Sequence, residues 1–541
     1  MVAYPLLLVA ITLMTFHGGA THSFTNWDDW KYIVENPLVH GISFDKVWVS
    51  FTRFHVFNYN PLHLISYMLD YELWGLNGGG FFVTGLVLHL GAGLLIHAFA
   101  CKWLGFRALA FVVAAIFLCH PTRIESVGWL SERKDVLSAF FAGAALLLHL
   151  RTLTPLDPRK GWAVQAGVFF FYLLALLSKS QLVTLPCVLV ALDLWAGRPL
   201  GRSLLFKLPH FTLSAIFSVL TLSAHTNEGM KGIQFPDSIL VPLAALPRYV
   251  AHAVWPTRLS PYYDFVGESF ASTPMVLAGA ALFLAMVVGV WISYQGKRVW
   301  LLGIVWFLAL LAPVSGLVRI NIFLADRYLY LALVGPLLAL ASTALTWGVA
   351  RLASLLGVIS VVACAMASAN YLPVFRDSES LWVRVLEICP GASIAHSNYG
   401  AYLRQNERWA ESAVHYDADL AEKPYFEESF LGRAYLHDLA GEYPQAAALY
   451  ERLLEKKPQS MLGRIEYADF LHRRGELQKA LGVLSAQDLS LADAIYYCKL
   501  CDVLLALDRK EEARAAFQFA ARIDGREPRV IQRQRLFASP W

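Results

Sequence analysis

Leu6-Leu-Leu-Val-Ala-Ile-Thr-Leu-Met14 runs on into Phe24-Thr-Asn-Trp-Asp-Asp-Trp30. Whether the apolar part is a removable leader or a membrane span decides the fold. It carries no basic leader and no good small-residue cleavage site, so it reads as a first span. The chain enters that span almost at once, and a short cytoplasmic leader upstream of Met1 is expected. Two adjacent carboxylates, Asp28 and Asp29, then stand just past the span. Carboxylates at a membrane boundary are costly to desolvate; they persist where they do chemistry, bind a cation or pair with a base.

Composition agrees with a membrane protein. Of 541 residues 57% are hydrophobic and only 16% charged, against roughly a quarter charged in soluble domains. Mean hydropathy is +0.48. The character changes near Asn370: apolar runs of bilayer length repeat upstream, and charged residues interleave with Ala and Leu downstream. The expected division is a transmembrane domain over 1–370, a connector over 371–390 and a repeat domain over 391–541. A net charge of +4, dispersed and without a basic stripe, argues against nucleic acid as a partner.

About eleven spans are expected, at 3–20, 80–101, 107–120, 134–150, 162–178, 182–197, 210–225, 274–294, 299–315, 327–349 and 352–370. The stretch 239–256, punctuated by Pro242, Pro247 and Pro256, reads as an interfacial helix with a full span as the alternative. Lys102/Arg107, Arg151/Arg159/Lys160, Arg198/Arg202/Lys207, Lys297/Arg298 and Arg351 crowd short loops that look cytoplasmic. The longer, mixed-sign loops 21–79, 120–133, 225–273 and 315–326 fall on the outer side, as does everything after Asn370. Cations and carboxylates gathered on that face suit a lipid-linked phosphate substrate.

The tail repeats at about 34 residues. Small residues recur at Gly400, Ala434, Ala468 and Cys501 and at Ser412, Ala446, Ala480 and Ala513; bulky ones at Tyr416, Tyr450, Leu484 and Phe517; prolines at Pro390, Pro424 and Pro458. This is the tetratricopeptide pattern, about four helix pairs stacked as a solenoid with a groove for extended polypeptide. Cys498 and Cys501 form a CxxC, but Cys501 falls on a packing position and no second ligand pair exists for zinc.

Asn26-Trp-Asp-Asp29, Asn60-Pro-Leu-His63, His120-Pro-Thr-Arg-Ile-Glu-Ser126, Ser131-Glu-Arg-Lys-Asp135, Ser178-Lys179, Thr184-Leu-Pro186 and Ala325-Asp-Arg-Tyr-Leu-Tyr330 occur in that order, followed by Asp377 to Trp382 and Ala395-His-Ser-Asn-Tyr-Gly400. As a set they resemble the transmembrane and tetratricopeptide-repeat family of O-mannosyltransferase-like proteins, in particular its bacterial members. The resemblance implies an all-α, GT-C-like membrane bundle followed by an extracytoplasmic repeat solenoid, in the inner membrane with the repeats periplasmic. It implies transfer of a sugar, such as mannose, from a polyprenyl-phosphate donor at the outer face, with Asp28 and Asp29 as the catalytic acidic pair. One departure is that the first span begins at Met1, where related chains usually carry a basic leader.

The residues permit that chemistry. An alcohol is a poor nucleophile at neutral pH, and a positioned carboxylate taking its proton is worth about 10²–10⁴-fold in rate. Asp28 or Asp29 would be that base, with inversion at the anomeric carbon. Arg123, Arg133, Lys134, Lys179 and Arg327 are the candidates for holding the departing phosphate. Glu125, Asp135, Asp326, His63 and His120 would support them. Bland roles stand beside these: a helix cap for the Asp pair, a Glu125–Arg123 salt bridge, an interface anchor for Glu132 to Asp135. Lys179 has no adjacent acid in sequence, which favours a ligand role over snorkelling. No metal-ligand spacing occurs and no cofactor is required, although the acidic pair could hold a divalent cation. Two other classes compete: a non-catalytic membrane-anchored repeat adaptor for outer-side assembly, and a transporter of the lipid carrier. The one-sided polar residues count against the transporter.

Overall fold

The computed structural model describes residues 3–537 except 57, 155–156, 228–236, 265–270, 296–298, 316–321, 422–425, 486–492 and 526. Lys297, Arg298 and Pro424 therefore lie outside the described residues. The chain forms two compact units, Met1–Pro390 and Gly391–Trp541. The segment 371–390, expected as a connector, lies within the first. Among the described residues the regular structure is helical throughout.

Among the described residues of the first unit six helices are long and apolar enough to cross a membrane, or up to eight if each of two bent pairs is one span. Four shorter apolar helices accompany them, Ala3–Thr15, Ser180–Trp195, Ser238–Val254 and Val299–Val314. Together they cover the eleven expected spans and the ambiguous stretch. Each short helix, at 1.5 Å per residue, falls below the ~30 Å hydrocarbon core. Side chains on Thr273–Gln295 and Ala350–Tyr371 such as Phe283, Leu284, Trp291, Leu355 and Ile359 stand exposed. An apolar surface of that extent belongs in lipid, and the first unit is a membrane bundle.

Close packing follows from small residues. A Cβ on Gly93 would lie 2.4 Å from the Leu118 side chain, so Gly78–Leu104 and Arg107–Cys119 can approach only with glycine there. The two bent pairs, Arg107–Cys119 with Pro121–Gly128 (53°) and Asp326–Ala332 with Val334–Thr346 (47°), matter most. The bends turn polar segments sideways into the bundle. Residues 120–133, expected as an outer loop, are accordingly buried throughout.

Polar residues also gather at the other end of the same helices. Asp193 pairs with Arg198 at 2.9 Å, His149 at 3.2 Å and Lys207 at 3.3 Å. His149 follows Asp135 by 14 positions, roughly 20 Å along one helix. Arg198 and Lys207, expected in a short cytoplasmic loop, thus serve a buried tie, with Lys207 fully enclosed.

Among its described residues the second unit is four antiparallel helix pairs and a closing helix. First helices begin at Ser393, Glu427, Met461 and Ala494; second helices at Trp409, Tyr443, Leu477 and Lys510. Glu407, Gly441, Gly475 and Asp508 all take a positive φ at the intervening turns. Ala434, Ala468 and Cys501 are buried against Ala446, Ala480 and Ala513, the close-approach positions of the repeat. Cys498 and Cys501 are free and buried.

Candidate functional site

The Asn26–Asp29 segment is clamped from two sides. Trp27 stacks on Trp129 with centroids 4.4 Å apart and packs against Trp382 at 5.2 Å. Trp382 Nε1 donates to Asn26 Oδ1 (2.7 Å), and Asn26 N donates to Ser378 Oγ (2.9 Å). The helix after the last span therefore sets the position of the segment that carries Asp28 and Asp29.

The two aspartates have different surroundings. Asp29 is fully buried: Oδ2 accepts from Thr25 N (2.9 Å) and Thr25 Oγ1 (2.8 Å), and Oδ1 accepts from Ser131 N (2.8 Å). Burial raises its pKa to about 6 against those hydrogen bonds, so it is ionised at neutral pH, as its donors require. Asp28 is only partly covered and, among the described residues, makes no hydrogen bond or ion pair. Burial lifts its pKa as well, opposed chiefly by the Lys134 charge. With both oxygens of Asp29 taken up by N–H and O–H donors, the pair does not present two free carboxylates to one cation.

Beside Asp28 lies a buried network built by the two bends. Glu132 meets Lys134 (2.9 Å), Lys179 (3.5 Å) and Arg327 (3.6 Å). Lys179 pairs more closely with Asp135 (2.5 Å), which also accepts from Ser126 Oγ (3.1 Å). Arg327 pairs with Glu125 through its guanidinium and through its backbone N–H (2.8 Å). Lys134 sits 5.2 Å over the Tyr32 ring, and Arg327 over Trp129 and Tyr328. A cavity of about 20 Å³, lined by Asp135, Lys179, Arg327, Tyr328 and Tyr330, lies within the network; it is the size of a single water.

Of the five expected phosphate-binding cations, Lys134, Lys179 and Arg327 converge here, and two do not. Arg133 is paired with Asp70 (2.5 Å), donates to Phe81 O (2.6 Å) and lies over Tyr67 and Phe81. Arg123 donates to Phe117 O (3.1 Å) and Thr122 Oγ1 (3.2 Å) between the Phe117 and Tyr330 rings. The Glu125–Arg123 bridge does not form, because Glu125 is engaged by Arg327. Lys179 does have acidic neighbours, supplied from a helix start 44 positions away.

Among the supporting residues, Asp326 binds His252 (3.0 Å) and Tyr263 (2.9 Å). His120 bonds Thr122 (2.9 Å) and Ala253 O (3.1 Å), which fixes the end of the Asp237–Val254 helix. Tyr67 donates to Leu130 O (2.6 Å), so His63 Nε2–H donates to Tyr67 (2.7 Å) and Nδ1 is left as an acceptor. Burial, with Lys134 and Arg133 nearby, holds His63 neutral. Tyr32, Trp129, Tyr263 and His252 were not foreseen. Tyr32 alone left a signal, one helical turn after Asp28.

No family model matches the chain. A protein O-mannosyl-transferase of Caenorhabditis elegans is 21% identical over 450 residues, 78% of this chain and 63% of that one. In sequence the chain is similar to the protein O-mannosyl-transferases. The human protein O-mannosyl-transferase TMTC1 is 24% identical over 482 residues, 76% of this chain and 54% of its own length. The chain thus spans between half and two thirds of these relatives. Among solved structures, ArnT from Cupriavidus metallidurans bound to undecaprenyl phosphate is 17% identical, with 84% of this chain and 81% of that chain covered and a TM-score of 0.35.

Proposed function

We propose that the protein is a membrane glycosyltransferase of GT-C type. It moves a hexose such as mannose from a polyprenyl-phosphate donor to a hydroxyl, in the first instance a protein Ser or Thr, on the outer side of the inner membrane. The observation that carries this reading is the contrast between the two aspartates. Asp29 takes donors on both oxygens, whereas Asp28 keeps an unengaged carboxylate beside Lys134.

In this reaction Asp28 takes the acceptor hydroxyl proton as its oxygen attacks the anomeric carbon. The bond from that carbon to the carrier phosphate breaks, with inversion. Charge then grows on the phosphate, and Lys134, Lys179 and Arg327 supply fixed positive charge already oriented by Glu132, Asp135 and Glu125. The carboxylates hold the cations in place, so little reorganisation is needed as the phosphate departs. Asp29 is a positioning residue that holds the loop carrying Asp28. The named activity of the sequence relatives supports this class. A repeat adaptor without catalysis gives no reason for an unpaired carboxylate beside buried cations.

Glycoproteomics of a deletion strain complemented with wild-type or Asp28→Asn protein tests the class. The expected result is hexose missing from a set of exported proteins in both the deletion and the variant. Unchanged protein glycans with altered envelope glycolipid would move the acceptor from protein to lipid.

A further inference from the structure

Of the ordered motifs, Ala395-His-Ser-Asn-Tyr-Gly400 takes no part in the glycosyl-transfer site. It lies in the first helix of the repeat unit, Ser393–Gln405, antiparallel to Trp409–Ala421. The two helices touch where Ser412 Oγ donates to Gly400 O (2.8 Å) and where a Cβ on Gly400 would lie 2.7 Å from the Tyr416 ring. That close approach sets the register of the pair. One turn towards the start of the first helix stands His396, and one turn towards the end of the second stands His415. A further turn out, the Ser393 hydroxyl donates to Asp419.

His396 and His415 face each other through the same ring nitrogen. Nδ1 lies 3.0 Å from Nδ1, with the ring centroids 5.2 Å apart. Tyr399 packs on the His415 ring at 4.7 Å and holds its plane. Both imidazoles are half-buried. Burial, with His396 beside it and Glu411 opposing, keeps the His415 pKa below its ordinary value, so the neutral ring that can act as a ligand prevails at pH 7. Between neutral rings, one Nδ1–H donates to the other Nδ1. A change of tautomer in the donor ring, with no net loss of a proton, turns both lone pairs inward.

We infer that His396 and His415 chelate a divalent transition-metal ion across the first helix pair of the repeats. An ion with metal–nitrogen bonds of about 2.0–2.1 Å places two right-angle ligands about 2.9 Å apart and two tetrahedral ligands about 3.3–3.4 Å apart. The 3.0 Å separation is thus a chelate bite that asks little movement of either ring. Imidazole selects copper, nickel and zinc, whereas calcium and magnesium take oxygen ligands. A right-angle bite favours Ni(II) and Cu(II) within that set. Among the described residues no group of three His, Cys, Asp or Glu closes around an ion, so water fills the remaining positions, as half-exposed rings allow. The bound ion clips the two helices together one turn from their closest approach.

The test uses full-length protein in detergent, purified without a histidine tag, with Ni(II) alone as the probe. Titration calorimetry at neutral pH is expected to show one ion bound. His396→Gln and His415→Gln should each weaken that binding about tenfold or more, and it should weaken in wild type as the pH falls below 6, because protons compete for the same two nitrogens. Variants that melt like wild type without metal, yet bind Ni(II) as tightly, overturn the inference. Where a variant does not fold, the wild type decides. Cu(II) added below one equivalent should give an electron paramagnetic resonance spectrum split by two imidazole nitrogens; a spectrum with oxygen ligands alone, or with one nitrogen, contradicts the pair. No binding of either ion would leave the 3.0 Å contact as a hydrogen bond only.

Discussion

Asp29 accepts a 2.8 Å hydrogen bond from the backbone N–H of Ser131, which ties the segment after the first apolar helix to the buried 120–133 segment. With the two bonds from Thr25, it gives each oxygen of a fully enclosed carboxylate a donor. Asparagine at 29 turns an acceptor into a donor facing a donor. Asp29→Asn should therefore lose about 1.5–3 kcal/mol of stability, seen as a lowered melting temperature in detergent, whereas Asp28→Asn should melt like wild type.

In the proposed reaction, proton transfer to Asp28 fixes the pH dependence. Burial lifts its pKa and Lys134 pulls it back. A base works only when ionised, so the acidic limb of kcat/KM should lie above about pH 4, the ordinary carboxylate value. Lys134→Met removes the charge that favours the carboxylate, which raises the pKa further and moves the limb to higher pH. Rate profiles between pH 4 and 8 check the sign, and a limb shifted downward in Lys134→Met would contradict it.

Glu125 and Arg327 form a buried pair that joins the two bent helices. Removing one partner leaves the other enclosed and uncompensated, at a cost of about 3–5 kcal/mol. Glu125→Gln and Arg327→Gln should each be strongly destabilising, and the double variant should melt well above the sum of the two losses. Thermal unfolding of the three proteins measures the coupling.

The repeat unit offers an independent check on packing. A Cβ on Gly432 would lie 2.2 Å from the Tyr416 ring, which is itself buried. Gly432→Ala should destabilise the Gly391–Trp541 unit by about 1–3 kcal/mol, and Tyr416→Leu in the same chain should recover part of the loss. Limited proteolysis of the repeat region reports both.

Much of the fold was legible because its signals are periodic. Bilayer-length apolar runs located the spans, and recurrence of Gly400, Ala434, Ala468 and Cys501 located the repeats. The bends were not legible: a run such as His120-Pro-Thr-Arg looks like a polar loop, and only packing shows that its charges turn inward. For that reason the 120–133 segment was expected outside, and Lys179 was expected alone. The acidic pair stood out in sequence, yet Asp28 and Asp29 are equivalent there. Their separation into a free and a hydrogen-bonded carboxylate depends on Thr25 and on Ser131, 102 positions away.

The most direct measurement is sugar transfer by purified protein in liposomes, comparing wild type with Asp28→Asn on polyprenyl-phosphate mannose and a Ser/Thr peptide. The variant should insert and melt like wild type yet transfer about 10²–10⁴-fold more slowly. A correctly folded Asp28→Asn protein that transfers sugar at the wild-type rate would contradict the assignment of the base.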